Sequence, residues 1–421
     1  MRRRIGLSAA IVLAAGLAAA FTPAPASPAP LSDKLVPAQG ALFGIFSGQG
    51  RYGRTSYQEM LYLEALVGRG FDIDHQYYRW DKPFPSTHDR EAINMGRIPA
   101  LAWAAYRQDD SPVRWASIAN GAYDSLIRAR ADAVKALGAK VMFTFHVEPE
   151  DDKLLGTSAE YRAAWRRVVS IFRGRGATNV VWVWNPMTYT FDPWANRNPA
   201  DWYPGDDVVD WMAADGYNWF GSNHNQDQRW RSFADIFRNF YSWGSARGKP
   251  LAVFEFGVLE DTRTPDPQRK AQWFREAQAT VKNWPKLKAV MYFNSWSWDF
   301  ESSVPSLNAF RTWANDPYFN PRATTLSNDT TAPVVTVTSP LDGGQVAYNS
   351  AVEIAAIATD NTGVAKVEFR VNGTLRCTDT SPLYTCIWWV WTKTGTNNVI
   401  QVTAYDKAGN RASDTVTVTT N

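Results

Sequence analysis

This 421-residue chain has two cysteines, four histidines and a net charge of only +3. Each scarcity removes a class of protein. Two thiols cannot build a disulfide scaffold or a four-cysteine zinc site. The histidines, His75, His88, His146 and His224, are scattered, and no His-x-His or His-Glu-x-x-His spacing provides for a catalytic metal. No tract dense in Lys and Arg follows the extreme N-terminus, so nothing marks a nucleic-acid groove. No phosphate loop follows the first apolar strand, because Gly44-Ile45-Phe46-Ser47-Gly48-Gln49-Gly50 lacks the strand-to-helix dinucleotide fingerprint. No cofactor is implied. Beyond the N-terminus, no apolar run is long enough to cross a bilayer.

What the chain has in abundance is aromatic surface, with 20 Trp and 17 Tyr. That is more than packing ordinarily asks for, and stacking on sugar faces is one common use of such rings. The length suits two folded units with extensions. Arg2, Arg3 and Arg4, an apolar run over 5–21 and the small-residue site Ala24-Pro25-Ala26 read as a secretory signal spanning 1–26. The mature protein is therefore expected to be secreted, with no membrane span once the signal is removed. Residues 27–40, rich in Pro, Ala and Ser, read as a linker.

From 41 to 322, short apolar runs alternate with amphipathic stretches of helix length. Strands are expected at 42–46, 71–77, 98–103, 140–145, 179–184, 209–214, 251–256 and 288–293. Helices are expected between them, among others at 57–68, 123–137, 161–173, 233–245 and 267–282, with Gly138 and Gly174 as C-caps. Parallel strands with intervening helices in this number close most simply into a (β/α)8 TIM barrel, an α/β fold of about 250 residues. Composition shifts to Thr, Ser, Asn and Asp over 323–333, a second linker. From 334 to 421, Val/Thr-rich runs at 334–338, 352–359, 365–371, 400–405 and 415–419, with a hairpin signal at Asn372-Gly373, predict a small all-β sandwich. Both cysteines fall there, on either side of a turn containing Ser381-Pro382. In an exported protein Cys377 and Cys386 are expected to pair.

Reactive groups of such barrels gather at the C-terminal ends of the strands. The fourth strand runs into His146-Val147-Glu148-Pro149-Glu150, and the seventh carries Val253-Phe254-Glu255-Phe256-Gly257. A carboxylate inside an apolar run is costly to bury unless it is paired or functional. Two carboxyls at one barrel mouth can divide the work of glycosidic cleavage, one donating a proton and one attacking the anomeric carbon. Glu148 suits the donor and Glu255 the nucleophile. Two salt-bridged structural acids are the alternative. The run Glu150-Asp151-Asp152 reads as a solvated or sugar-facing loop rather than a calcium site.

With Tyr203-Pro204-Gly205-Asp206-Asp207-Val208-Val209-Asp210-Trp211 leading to Asp215-Gly216-Tyr217-Asn218, these motifs resemble the clan of retaining glycosidases with an acid/base Glu after strand four and a nucleophile Glu after strand seven. Over 41–322 the chain looks most like glycoside hydrolase family 26. The resemblance implies a retaining double displacement on a polysaccharide, β-1,4-mannan first, with β-1,3-xylan and mixed-linkage β-glucan as alternatives. Val147 stands before Glu148, where family mannanases carry His, which leaves the mannan preference open. By the same resemblance Tyr217 reaches the nucleophile, and Trp296, in Asn294-Ser295-Trp296-Ser297-Trp298, floors the subsite of the sugar to be cleaved. Trp298, Trp80, Trp184 and Asn185 are further candidates for sugar contacts. His146 is a candidate for contacting substrate and for tuning Glu148.

The C-terminal segment resembles bacterial immunoglobulin-like modules through Asp329-Thr330-Thr331-Ala332-Pro333 and Ala404-Tyr405-Asp406-Lys407-Ala408-Gly409-Asn410. Its Trp388, Trp389 and Trp391 suit either a stacking platform or, in part, a core, and a spacer role is the leading expectation. The chain as a whole is expected to act as a monomer. A barrel that binds polysaccharide without cutting it is the competing reading.

Overall fold

Apolar runs of strand length, rich in Val, Phe and Trp, make the wall of the first domain. In the computed structural model they are β1 (Leu42–Phe46), β2 (Ile73–Tyr78), β3 (Ile98–Trp103), β4 (Val141–Phe145), β5 (Val180–Trp184), β6 (Trp211–Asn218), β7 (Leu251–Val258) and β8 (Leu287–Phe293). They pair in parallel in sequence order, and β8 returns to β1 to close the barrel. The structure describes residues 31–48, 54–220, 229–261, 266, 268–321, 329–360, 363–380, 383–406 and 408–421, together with the backbone but not the side chain of Trp296. The signal at 1–26, His224 and Ser381-Pro382 lie outside the described residues.

The main outer helices are α1 (Ser56–Val67), α2 (Thr87–Asn94), α3 (Trp115–Ala119), α4 (Asp124–Lys135), α5 (Ser158–Gly174), α6 (Pro199–Trp202), α7 (Phe233–Ser245), α8 (Arg269–Asn283) and α9 (Val304–Ala314). Thr55 with Gln58, Thr157 with Glu160 and Ser232 with Asp235 form reciprocal capping boxes that start α1, α5 and α7. Gly138 takes φ +70° just past α4, where a left-handed residue was expected. Gly174 does not cap α5. It completes the helix, because the Arg175 N–H still bonds to Ile171 O, and Gly176 at φ +72° makes the turn.

Leu42, Ile73, Met142, Val183, Phe254 and Met291 fill the barrel interior. A thicker aromatic layer, including Phe43, Phe143, Trp165, Trp182, Trp273 and Phe310, lies between strands and helices. A Cβ on Gly44 would sit 2.7 Å from both Ile73 Cβ and Met291 Cγ, so β1 passes the crowded interior only as glycine. Residues 31–40, expected to be linker, instead pack onto the floor of the barrel. Leu35 is buried there beside Leu31 and Val36, because the strand starts leave apolar surface that the Pro/Ala-rich stretch can cover. Trp211 Nε1 donates to Lys34 O at 2.6 Å, and Lys34 pairs with Asp210 at 2.9 Å.

The second domain has strands β9 (Val334–Ser339), β10 (Gln345–Val346), β11 (Ala351–Thr359), β12 (Val364–Val371), β13 (Thr374–Asp379), β14 (Tyr384–Trp389), β15 (Asn397–Asp406) and β16 (Arg411–Thr420). One sheet runs β10-β16-β15-β12-β13 and the other β14-β11-β9, with Ile354, Phe369, Trp388 and Val402 in the shared core. Asn372 and Gly373, both at positive φ, turn β12 into β13. Cys377 on β13 and Cys386 on β14 form a disulfide with Cα atoms 5.8 Å apart, joining edge strands of the two sheets. Among the described residues no helix is long and apolar enough to cross a membrane.

Candidate active site

Past the end of β4 the chain changes direction at two non-glycine residues with positive φ, His146 at 58° and Glu148 at 50°. Such conformations cost on the order of 1–3 kcal/mol each and persist only where the surroundings hold them. The His146 N–H donates to Trp103 O at 2.9 Å and the Glu148 N–H to Asn185 O at 2.8 Å. His146 Nδ1 accepts the Ala105 N–H at 3.0 Å, which leaves the ring proton on Nε2, facing Asp152 Oδ2 at 2.5 Å. Burial pushes the Asp152 carboxyl up, but the hydrogen bond and charge of His146, the Tyr106 hydroxyl and the Arg79 charge together hold the group below its usual range. With 2% of its surface exposed, His146 braces the loop and does not reach the cleft as a sugar contact. Glu150 accepts hydrogen bonds from the Met187 N–H and Thr190 Oγ1, each at 2.6 Å, and burial raises it to about 7. Glu150 is thus tied to the chain after β5, whereas Asp151, though bonded to Tyr189 and Arg197, stays exposed as expected.

Across the barrel, β6 and β7 pair with Asp215 opposite Glu255. Glu255 lies 7% exposed between two phenols: Tyr77, near the end of β2, donates to Oε1, and Tyr217, on β6, donates to Oε2. Asn185 Nδ2 donates to Asp215 Oδ2 at 2.7 Å. Asn185 is fully buried, so it links the neighbourhoods of the two glutamates instead of touching sugar. One carboxylate oxygen from each of Glu148, Asp215 and Glu255 lies within 4.8 Å of the other two.

So close a group cannot carry three charges. Burial first, then Glu255, Glu150, Asp151 and Asp152, raise Glu148 well above the usual carboxylate range. Asp215 is also raised well above that range, by burial first, then by Glu255 and Glu148, against the pull of Asn185. Glu255 is raised by burial, but hydrogen bonds from Tyr217 and Tyr77 oppose the shift. The negative charge therefore resides best on Glu255, where two donors meet it. Both phenols keep their protons, because burial and the Glu255 charge raise them well above their ordinary value. Close enough to chelate a cation, the three carboxylates are arranged around hydroxyl and amide donors, a pattern that serves an anion and a shared proton.

The surrounding wall is aromatic. The Tyr217 ring packs 4.8 Å from Trp298, and Phe46 packs 4.9 Å from Tyr77. A Cβ on Gly257 would lie 2.8 Å from Trp298 Cε3 and 3.0 Å from Tyr217 Cδ1, so glycine is what lets these rings meet beside Glu255. Lys270 Nζ donates to Asp299 O at 2.6 Å and Ser302 Oγ at 2.9 Å, stapling the loop that follows Trp298. The Trp296 side chain lies outside the described residues. Trp80 and Trp184 are core residues rather than sugar contacts. Trp80 stacks on Trp103 with centroids 4.2 Å apart, and Trp184 packs against Phe191, Tyr203 and Trp243, because both rings face the helical layer. Two members of the site were missed in the sequence. Asp215 interrupts Met212-Ala213-Ala214, the same signal that singled out Glu255, whereas Tyr77 looks like ordinary strand packing.

Fold and site together define a (β/α)8 barrel with facing acids at its C-terminal mouth, followed by an immunoglobulin-like module. The family model described as Bacterial Ig domain matches residues 333–418. Over 265 residues the chain is 29% identical to Endoglucanase H of Acetivibrio thermocellus, covering 59% of this chain and 28% of that protein. A β-1,3-xylanase of a Vibrio species is 26% identical over 202 residues, 44% of this chain and 41% of the relative. The chain thus spans less than half the length of either. Similar solved structures include a modular endo-β-1,4-mannanase of glycoside hydrolase family 26 from Cellulomonas fimi, at 20% identity and a TM-score of 0.49, covering 91% of this chain and 94% of that one. The catalytic domain of a family 26 endo-β-1,4-mannanase from Bacillus sp. JAMB-750 matches at 17% identity and a TM-score of 0.49, covering 66% and 86%.

Proposed function

We propose that the protein is a secreted, monomeric endo-glycoside hydrolase that cleaves a β-linked polysaccharide with retention, Glu255 acting as nucleophile and Glu148 as acid/base. One observation carries this reading: the Glu148 and Glu255 oxygens approach within 4.8 Å, while Tyr77 and Tyr217 donate to both oxygens of Glu255. Retaining glycosidases hold their two carboxyls about 5–5.5 Å apart, and inverting ones about 6.5–9.5 Å, to admit a water between acid and sugar. In the first step a Glu255 oxygen bonds to the anomeric carbon as the glycosidic bond breaks, and Glu148 gives its proton to the departing oxygen. In the second, Glu148 takes a proton from water, whose oxygen displaces Glu255 and leaves the anomeric configuration unchanged overall.

β-1,4-Mannan is the first substrate to test. The relatives named as an endoglucanase and a β-1,3-xylanase favour mixed-linkage β-glucan and β-1,3-xylan as the second reading. Incubation with mannan, β-1,3-xylan, lichenan and laminarin should release reducing ends from at least one, with the β-anomer appearing first by NMR. No turnover on any of the four would overturn the reading in favour of a binding protein.

Tyr77 supplies a further expectation. A hydrogen bond to a charged group contributes about 1.5–3 kcal/mol, so Tyr77→Phe should lower kcat/KM by about 10–100-fold. Because the phenol opposes the upward shift of Glu255, its loss should also move the acidic limb of the pH profile to higher pH. Unchanged kcat/KM and an unmoved limb would show that Tyr77 only packs.

A further inference from the structure

The C-terminal module carries a feature that the barrel does not need. Along β14 and its continuation the side chains alternate strictly: Tyr384, Cys386, Trp388 and Val390 are buried, while Ile387, Trp389 and Trp391 stand out from the sheet, 55%, 55% and 64% exposed. The Trp389 and Trp391 rings are nearly parallel, 15° apart in plane, with centroids 6.2 Å apart. Tyr348, 54% exposed, stands edge-on to Trp391 at 6.4 Å. These rings are held in place. The Asn349 N–H bonds to Val390 O at 2.8 Å and the Val390 N–H to Ser350 O at 2.9 Å, fastening the Tyr348 turn to the strand beneath Trp391.

The chemistry of the face selects its occupant. On the outward side of β9, β11 and β14, Thr336, Ala351, Ala355 and Thr385 are uncharged, and Glu353 is the one charged residue among those described. Apart from Glu353, which pairs with Ile387, this surface of rings and hydroxyls complements an uncharged polyol, and it offers no positive charge to an anionic membrane. Its size argues against a second copy of the chain. Rings of about 150–250 Å² each, half exposed, give a patch of roughly 500 Å² with Ile387, whereas a stable protein interface needs about 800 Å² per partner. Two tryptophan faces of like orientation fit successive flat sugar rings of an extended chain, whose axial C–H groups pack on indole while its hydroxyls stay in water.

We propose that Trp389, Trp391 and Tyr348 form a second polysaccharide-binding site, separate from the barrel cleft, that takes the flat faces of a β-1,4-linked glycan. The site is an anchor that reacts with nothing. It makes the module a binding device and not only a spacer.

The test compares retention of the full mature chain on microcrystalline cellulose and on insoluble mannan with that of a Trp389→Ala/Trp391→Ala double variant. The parent should bind at least one of the two solids, and the double variant should bind it at least tenfold more weakly. The double variant should hydrolyse soluble oligosaccharides as the parent does and unfold at the same temperature, because neither ring belongs to the core. A Trp389→Phe/Trp391→Phe variant should recover most of the retention. Equal retention of parent and double alanine variant, or no retention of the parent on either solid, would overturn the proposal. So would a dimeric parent that the double variant renders monomeric without any change in retention, which would assign the face to a second copy. Retention is read without turnover, so a barrel that proves inactive leaves this result standing.

Discussion

Replacing Glu255 with Ala should reduce turnover by about 10⁴-fold or more, the scale seen when a nucleophile that acts in concert with its partners is removed. Sodium azide should then restore reaction as a glycosyl azide of inverted configuration. The truncated side chain leaves a space lined by the Tyr77 and Tyr217 hydroxyls, both of which donate toward the place where a carboxylate was. A small anion can occupy it and attack the anomeric carbon from the nucleophile's side, while Glu148 still protonates the leaving oxygen. With no second displacement, the product stays inverted. Stability should hold or rise, because the substitution removes a buried acid that crowds Glu148 and Asp215. Polarimetry or NMR of the azide product checks the claim; a fully active Glu255→Ala would end it.

Glu148→Ala should lose about 10²–10⁴-fold on polysaccharide, the usual weight of general acid catalysis, and far less on an aryl glycoside whose leaving group needs no proton. Azide should rescue this variant too, but with retained configuration, since Glu255 still makes the first displacement. The pH behaviour follows from the sign of the shift. Glu148 donates only while protonated, and burial and its acidic neighbours raise its pKa, so the donor form persists to higher pH than an ordinary carboxyl allows and activity falls as pH climbs through the raised value. Glu148→Gln should flatten that alkaline limb. The acidic limb belongs to Glu255, which must be ionised. Activity is lost as pH drops through its raised value, and the two limbs report the pair rather than either residue alone.

Much of this architecture was legible in the residues themselves. Strand runs such as 141–145 and 251–256 stand out because a barrel wall is apolar on both sides; the first runs into His146-Val147-Glu148 and the second carries Glu255. The strand that carries Asp215 and Tyr217 was read four residues short, since Asp215 and Gly216 look like a turn until the register with β7 draws them into the sheet. Aromatic residues were the least legible. Trp80 and Trp184 were read as sugar contacts from their places near strand ends, but side-chain direction alternates there, and both rings turn outward into the helical layer. Tyr77 turns the other way and reaches Glu255, a contact across 178 positions that no local pattern announces. β14 was not among the strands with expected bounds, although Trp388, Trp389 and Trp391 were read as alternating between core and surface, as they do.

The segment beneath the barrel is part of the folded domain. Leu31, Leu35 and Val36 seal the lower opening, and Lys34 is held by Trp211 and Asp210 at the foot of β6. A chain shortened to begin past Val36 should therefore expose the apolar ends of the strands to water and unfold at a lower temperature.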